Sequence, residues 1–117
     1  MSKKHLTATR YDSLPLSESI QAGIRDAGFE FCTPIQEASL PLALAGMDIA
    51  GQAQTGTGKT AAFLLAALDR LERQAADPKR LPNQPRVLIL APTRELAIQI
   101  HKDAKTLASH TEYSVQV

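Results

Sequence analysis

The chain has 117 residues, which is enough for one small domain, and its 44% hydrophobic content can supply a core. A net charge of +1 excludes a strong overall basic field, and an aromatic content of 4% excludes a surface that stacks many bases, so any contact with nucleic acid must be local. Cys32 is the only cysteine, which excludes an intrachain disulfide. No signal peptide or membrane-spanning run is recognisable, and we expect a cytoplasmic protein with no membrane partner.

The N-terminal part of the chain predicts a leader followed by a short helix. Residues 1–10 are polar, which is typical of a mobile leader. Ser17 is a good N-cap, and the apolar spacing after it predicts a helix that reaches Ala27. Gly28 is well placed to end that helix.

A second helix is predicted after residue 33. Thr33 is suited to be its N-cap, Pro34 its first helical residue, and Gln36 the closing member of a capping box. Pro41 predicts a kink or a break, and Gly46 predicts the end of the segment. The Gln36 amide has a second interpretation, because a donor and an acceptor side by side can pair with the edge of adenine. The residues alone favour the capping role.

A glycine-rich segment then predicts a phosphate-binding loop between a strand, Asp48–Ala53, and a helix. The loop consists of Ala53, Gln54, Thr55, Gly56, Thr57, Gly58, Lys59 and Thr60. Its glycines allow the backbone to approach phosphates, Lys59 can reach the outer phosphates, and the Thr60 hydroxyl can bind Mg²⁺. The general pattern begins with Gly where this chain has Ala53, so the alternative is a glycine-rich turn before an ordinary helix.

The helix after the loop is predicted from Gly58 to about Ala75. Its leucines and Phe63 cover more than one face, which predicts burial on several sides, whereas the charged end from Asp69 to Arg73 should reach solvent. The proline-rich basic stretch at residues 77–86 predicts a surface connection, with an RNA-facing loop as the alternative.

The last third of the chain continues the alternation of strands and helices. Val87–Leu90 predicts a strand covered on both faces, and Tyr113–Val117 predicts the start of another. Between them Thr93 can cap a helix from Arg94 to Ser109. This order is typical of a doubly wound α/β sheet, in which ligands bind at the carboxyl ends of the strands. Thr93 and Arg94 lie at such an end, where they can contact a phosphate backbone or simply form a capped helix with a surface arginine.

Three stretches occur in an order that resembles the DEAD-box RNA helicases: Phe29–Gln36, Ala53–Thr60 and Pro92–Ala97. They are similar to that family's Q motif, its motif I and its motif Ia, and the resemblance runs from about Tyr11 to the end. It implies an incomplete RecA-like P-loop domain with a parallel sheet and helices on both faces. The implied organisation is a leader at residues 1–10, a Q-motif segment at 11–37, and the N-terminal part of the ATP-binding domain at 38–117.

The resemblance also implies roles for individual residues. The bound groups would be ATP and Mg²⁺, with the adenine read by Gln36, supported by Thr33 and contacted by the aromatic ring of Tyr11. The phosphates would lie on residues 53–60, with Lys59 and Thr60 as the catalytic members and Thr60 on the metal. Thr93 and Arg94 would contact the RNA backbone without reading its sequence. The flanks of the motifs most resemble the bacterial members that work in RNA-degrading assemblies.

The Asp-Glu-Ala-Asp motif that gives the family its name is absent from these residues. The resemblance therefore implies a helicase that unwinds short RNA duplexes, of which this segment alone would hydrolyse little ATP. Two alternatives remain open from the sequence: a short regulator that binds nucleotide or RNA without turnover, and a P-loop ATPase unrelated to RNA.

Overall fold

A computed structural model describes residues 6–51 and 58–117 of the chain. A short 3₁₀ helix at Tyr11–Ser13 is followed by four α-helices: α1 at Glu18–Asp26, α2 at Pro34–Leu44, α3 at Lys59–Arg73 and α4 at Arg94–Leu107. No helix within the described ranges is both long and apolar enough to cross a membrane.

The helix ends confirm the predictions made from local signals. The Ser17 side chain accepts a hydrogen bond from the Ile20 N–H at 3.3 Å at the start of α1. Gly28 and Gly46 have positive φ angles of 79° and 87°, which end α1 and α2 in a conformation that glycine adopts without strain. Of the kink or break predicted at Pro41, the break is wrong: α2 runs on to Leu44, because loss of a single backbone donor does not stop a helix that is otherwise supported by packing, and the kink stays a prediction.

The core lies where α2 packs against α3 and where α1 packs against α4. Residue Gly23 makes the second contact possible, since a Cβ built on it would lie only 2.1 Å from the Leu107 carbonyl oxygen. The fully buried large side chains of the core come from all four helices and the segment before α2: Ile20, Ile24, Cys32, Gln36, Leu40, Leu65 and Leu107.

Two predictions about α3 hold only in part. Phe63 is 38% exposed instead of buried, so the helix is covered on fewer sides than its apolar residues indicated. The charged end of α3 reaches solvent at Arg70, Glu72 and Arg73, as predicted, but Asp69 is buried, and its carboxylate is compensated there by the Arg73 guanidinium at 2.7 Å. Arg73 in turn donates to the Pro15 carbonyl at 2.9 Å, which ties the end of α3 to the segment before α1.

The three predicted strands are not paired within the described part of the chain. The chain is extended or irregular at residues 48–51, Val87–Leu90 and Tyr113–Val117. In the described residues, β-type pairing is seen as an isolated antiparallel bridge between Arg10 and Phe31. Burial of Val87–Leu90 on both faces is not observed, since Leu88 and Leu90 are 76% and 84% exposed. The physical reason is that a strand needs a neighbouring strand to satisfy its backbone groups and cover its side chains.

The segment before α1 corrects the predicted leader boundary at residue 10. The backbone of Thr7, Thr9 and Tyr11 is hydrogen-bonded to that of Glu30 and Cys32 at 2.8–3.0 Å. The chain from residue 7 onward is therefore attached to the start of α2, and this pairing is what carries Tyr11 into the core.

Candidate nucleotide-binding site

The centre of the candidate site is the buried side-chain amide of Gln36, which is 2% exposed. Its Oε1 accepts from the Thr33 backbone N–H at 2.8 Å and from the Tyr11 hydroxyl. Its Nε2 donates to the Gly58 carbonyl at 2.9 Å. One amide thus joins the start of α2, the segment before α1 and the residue that caps the helix after the phosphate-binding loop.

Glycine at position 58 allows the Gln36 side-chain amide to approach the start of α3 more closely than any other residue would. It caps α3 with a φ of 82°, which an L side chain tolerates poorly. A Cβ at this position would lie 2.3 Å from the Gln36 Nε2 and 3.1 Å from the Thr33 Oγ1. The glycine is therefore required both by its backbone conformation and by the two side chains beside it.

Thr33 and Gln36 face each other as in the predicted capping box, and the Gln36 half is formed by the bond from the Thr33 N–H. The Thr33 hydroxyl is 2% exposed and finds no hydrogen-bond partner among the described residues.

Tyr11 meets this cluster through its hydroxyl. Its side chain is 3% exposed, and Phe29 stacks against the ring with 5.6 Å between the ring centroids and an interplanar angle of 22°. Burial, aided by the nearby Cys32, raises the pKa of the Tyr11 phenol, so the hydroxyl remains a proton donor toward Gln36. Contact of the Tyr11 ring with adenine stays a prediction, and the ring face now carries Phe29.

The phosphate-binding part of the prediction lies partly outside the described residues, which resume at Gly58. Ala53, Gln54, Thr55, Gly56 and Thr57 belong to the undescribed range. Lys59 and Thr60 form the first turn of α3, where the backbone N–H groups of a helix start and the positive end of the helix dipole favour an anion.

The Thr60 hydroxyl fits Mg²⁺ as one ligand, because the ion prefers oxygen donors and retains several waters beside the phosphates. Within the ranges that the structure covers, no group of three or more His, Cys, Asp or Glu side chains is placed to hold a metal. Among the described residues, the protein ligand considered for Mg²⁺ is therefore the Thr60 hydroxyl alone.

The predicted RNA contacts lie on a different helix. Thr93 caps α4, and its Oγ1 accepts from the Leu96 N–H at 3.2 Å, as predicted. Arg94 is exposed at the first position of α4. No hydrogen bond among the described residues joins Thr93 or Arg94 to Gln36, Thr33 or Tyr11.

Tyr11 and Gly58 were both predicted as site residues, but their hydrogen bonds to Gln36 were not. The Gly58 carbonyl and the Tyr11 hydroxyl are both partners of Gln36, across 22 and 25 positions of sequence respectively. A sequence signal existed only for the second, since a buried tyrosine generally finds a partner for its hydroxyl.

Cys32 lies against this cluster and is fully buried. Burial, together with the negative charge of Glu37, raises the pKa of its thiol to about 11. The pKa of Glu37 itself is lowered by hydrogen bonds from Thr9 and Thr7. Cys32 is thus a neutral packing residue at physiological pH rather than a nucleophile.

Comparison with known proteins identifies the family to which the chain belongs. The model of the DEAD/DEAH box helicase family matches residues 33–117, and the chain belongs to that family. Among its relatives, the ATP-dependent RNA helicase RhlB of Psychromonas ingrahamii is 61% identical over 109 residues, which is 93% of this chain and 26% of the relative. The chain therefore spans about a quarter of the length of that relative.

Solved helicase structures share the fold. The RNA helicase Prp28 from Chaetomium thermophilum, in a structure bound to ADP, matches 94% of this chain and 26% of its own with a TM-score of 0.77 and 37% identity. Dbp5 of S. cerevisiae, in a structure bound to Gle1 and IP6, matches 93% of this chain and 27% of its own with a TM-score of 0.76 and 34% identity. These matches confirm the predicted class, an incomplete RecA-like α/β domain, even though the strands are unpaired in the described residues.

Proposed function

We propose that the natural protein containing these residues is an ATP-dependent RNA helicase that couples ATP hydrolysis to local opening of short RNA duplexes. The observation that carries the proposal is the buried Gln36 amide held 2.9 Å from the carbonyl of Gly58, the residue before Lys59. It connects a potential reader of adenine to the start of the phosphate-binding helix, within a chain of the helicase family.

Nucleotide binding would use both the Gln36 amide and the start of α3. The Gln36 amide has the donor and the acceptor needed for the edge of adenine. The first turn of α3 supplies backbone N–H groups for the phosphates, Lys59 supplies the cation, and residues 53–57 would complete the loop. The unsatisfied Thr33 hydroxyl supports a ligand at this point, because a polar group delivered there would give it a partner.

Thr60 would hold Mg²⁺, which neutralises charge on the transferred phosphoryl group when it is bound. The chain's own contribution to phosphoryl transfer is mostly positioning: Gly58 places the start of α3, and Lys59 draws the outer phosphates toward it. We assign Lys59 and Thr60 as the catalytic residues of this segment.

RNA would be held at the start of α4. An exposed arginine beside a capped helix N-terminus suits a phosphate, since both the side-chain charge and the helix dipole attract it. Thr93 and Arg94 would thus grip the RNA backbone without reading bases. The proposal extends to an activity in the cytoplasm and in an RNA-degrading assembly; the resemblance of the motif flanks to bacterial members that work in such assemblies supports the second part.

The test is ATP turnover by the natural protein with and without RNA. Lys59→Ala should lower the RNA-stimulated rate by at least about 100-fold, because electrostatic stabilisation of the transferred group is lost. Lys105→Ala removes an exposed lysine from the last turn of α4 and serves as the matched control, with a rate close to that of the wild type. Wild-type turnover by Lys59→Ala would refute the assignment, and turnover indifferent to RNA would refute the helicase function.

A further inference from the structure

We propose that the Tyr11 hydroxyl competes with adenine for the Oε1 of Gln36, and so sets how strongly the site prefers adenine nucleotides to guanine nucleotides. This inference rests on the proposed function and deepens it by naming a specificity-determining residue in the same site.

The Gln36 amide oxygen can accept only a limited number of hydrogen bonds. An amide oxygen has two lone pairs. Both are used here, one by the Thr33 N–H at 2.8 Å and one by the Tyr11 hydroxyl. The 6-amino group of adenine therefore meets an acceptor that is already filled, and binding requires one of the two donors to leave.

Of the two donors to Gln36 Oε1, the Tyr11 hydroxyl is the one that can leave. The Thr33 N–H belongs to the N-cap residue of α2 and is fixed by the backbone that leads into the helix. The Tyr11 hydroxyl is at the end of a side chain and can rotate about its C–O bond. It cannot withdraw by losing its proton, because burial raises the pKa of the phenol. The hydroxyl thus gives up its bond to Gln36 each time that adenine is bound.

Competition with the Tyr11 hydroxyl affects adenine and not guanine, because only adenine brings a second donor to Oε1. Among the described residues the second N–H of the Gln36 amide has no hydrogen-bond partner, which suits it to the adenine N7. Oε1 is then the atom for which the two donors compete. Guanine has an oxygen in place of the 6-amino group and makes no demand on the acceptor. Loss of the hydroxyl should therefore strengthen adenine binding and leave guanine binding unchanged.

The test is the dissociation constants of ADP and GDP, measured calorimetrically on the natural protein, because diphosphates avoid hydrolysis. Tyr11→Phe removes only the hydroxyl and should tighten ADP about 2- to 10-fold, which is the range of one net hydrogen bond, with no change for GDP. Tyr113→Phe is the matched control: its side-chain hydroxyl has no hydrogen-bond partner among the described residues, and both constants should stay at the wild-type values.

A ligand-side measurement tests the same idea without depending on the variant. Purine riboside diphosphate lacks the 6-amino group. It should bind the wild type within about 2-fold of ADP, since that group gains little from a filled acceptor, and the gap should widen in Tyr11→Phe. In a Gln36→Ala background, Tyr11→Phe should have no effect on ADP, because the contested atom is gone.

Three results would overturn the inference: weaker ADP binding by Tyr11→Phe, an equal change for GDP, or a wild-type preference for ADP over the 6-deamino analogue above about 10-fold. The first would show that the hydroxyl holds Gln36 in place for the base. Loss of turnover in Lys59→Ala alongside any of these would leave the proposed function standing while the role of Tyr11 fell.

Discussion

Replacing Gly23 by alanine sets helix propensity against packing. The residue lies within α1 and faces the end of α4, where an added Cβ would lie 2.1 Å from the Leu107 carbonyl oxygen, whereas ordinary van der Waals contact begins near 3.4 Å. The obstacle is backbone, so no change of rotamer relieves it, and the two helices must separate by more than an ångström. That movement also disturbs the packing of the fully buried Ile24 and Leu107.

The expected magnitude follows from two opposing terms. Alanine in place of glycine inside a helix stabilises it by about 1 kcal/mol, whereas overpacking costs about 1–3 kcal/mol and more where backbone must move. Because backbone must move, we expect a packing cost at the upper end of this range, about 3 kcal/mol. After the gain of about 1 kcal/mol is subtracted, the net loss in the free energy of unfolding is about 2 kcal/mol, and the melting temperature should fall by several degrees.

The assay is thermal unfolding of the natural protein, with Ala22→Gly as the neighbouring control. That variant should cost about 1 kcal/mol through propensity alone and so calibrates the smaller term. A melting temperature raised by Gly23→Ala would show that propensity dominates, and the close approach of α1 and α4 would then be refuted.

Two further predictions concern RNA and the buried thiol. Arg94→Ala should weaken RNA binding by a similar factor for all sequences and flatten its dependence on salt, because a phosphate contact is lost; a sequence-dependent change in filter-binding affinity would contradict a backbone role. Cys32 should react with a thiol reagent at pH 7–8 only when the protein unfolds, since the thiol is buried and its pKa is raised to about 11. Because the folded pKa exceeds the unfolded value of 9.0, the contribution of Cys32 to stability is complete below pH 9 and is lost as the pH rises toward 11; unfolding curves that show no decline over this interval would count against it.

The local signals in the sequence were sufficient for the helices. Ser17 and Thr93 cap helices through bonds to N–H groups three residues away, so the information lies within one turn of chain. The same is true of Gly28 and Gly46, whose positive φ angles end α1 and α2. Motif order likewise placed the chain in its family, because phosphate chemistry demands particular residue types at short spacing.

Contacts between distant segments could not be predicted in this way. Asp69 was expected in solvent and is buried, since only packing brings the carboxylate against both its partner Arg73 and the core. Val87–Leu90 has the composition of a buried strand, but burial depends on neighbouring strands, which are not paired with it in the described residues.

The sequence by itself determined the family motifs and the positions of the capped helices, because each depends on residues within a few positions of one another. Only the tertiary structure decided what the Gln36 amide contacts, since Tyr11 and Gly58 lie 25 and 22 positions away and are brought to it by the pairing before α1 and by the packing of α2 on α3. A short-range pattern can specify that an amide is present. Which hydrogen bonds it makes depends on the fold around it, because burial forces the amide to satisfy its donors and acceptors with whatever groups packing brings near.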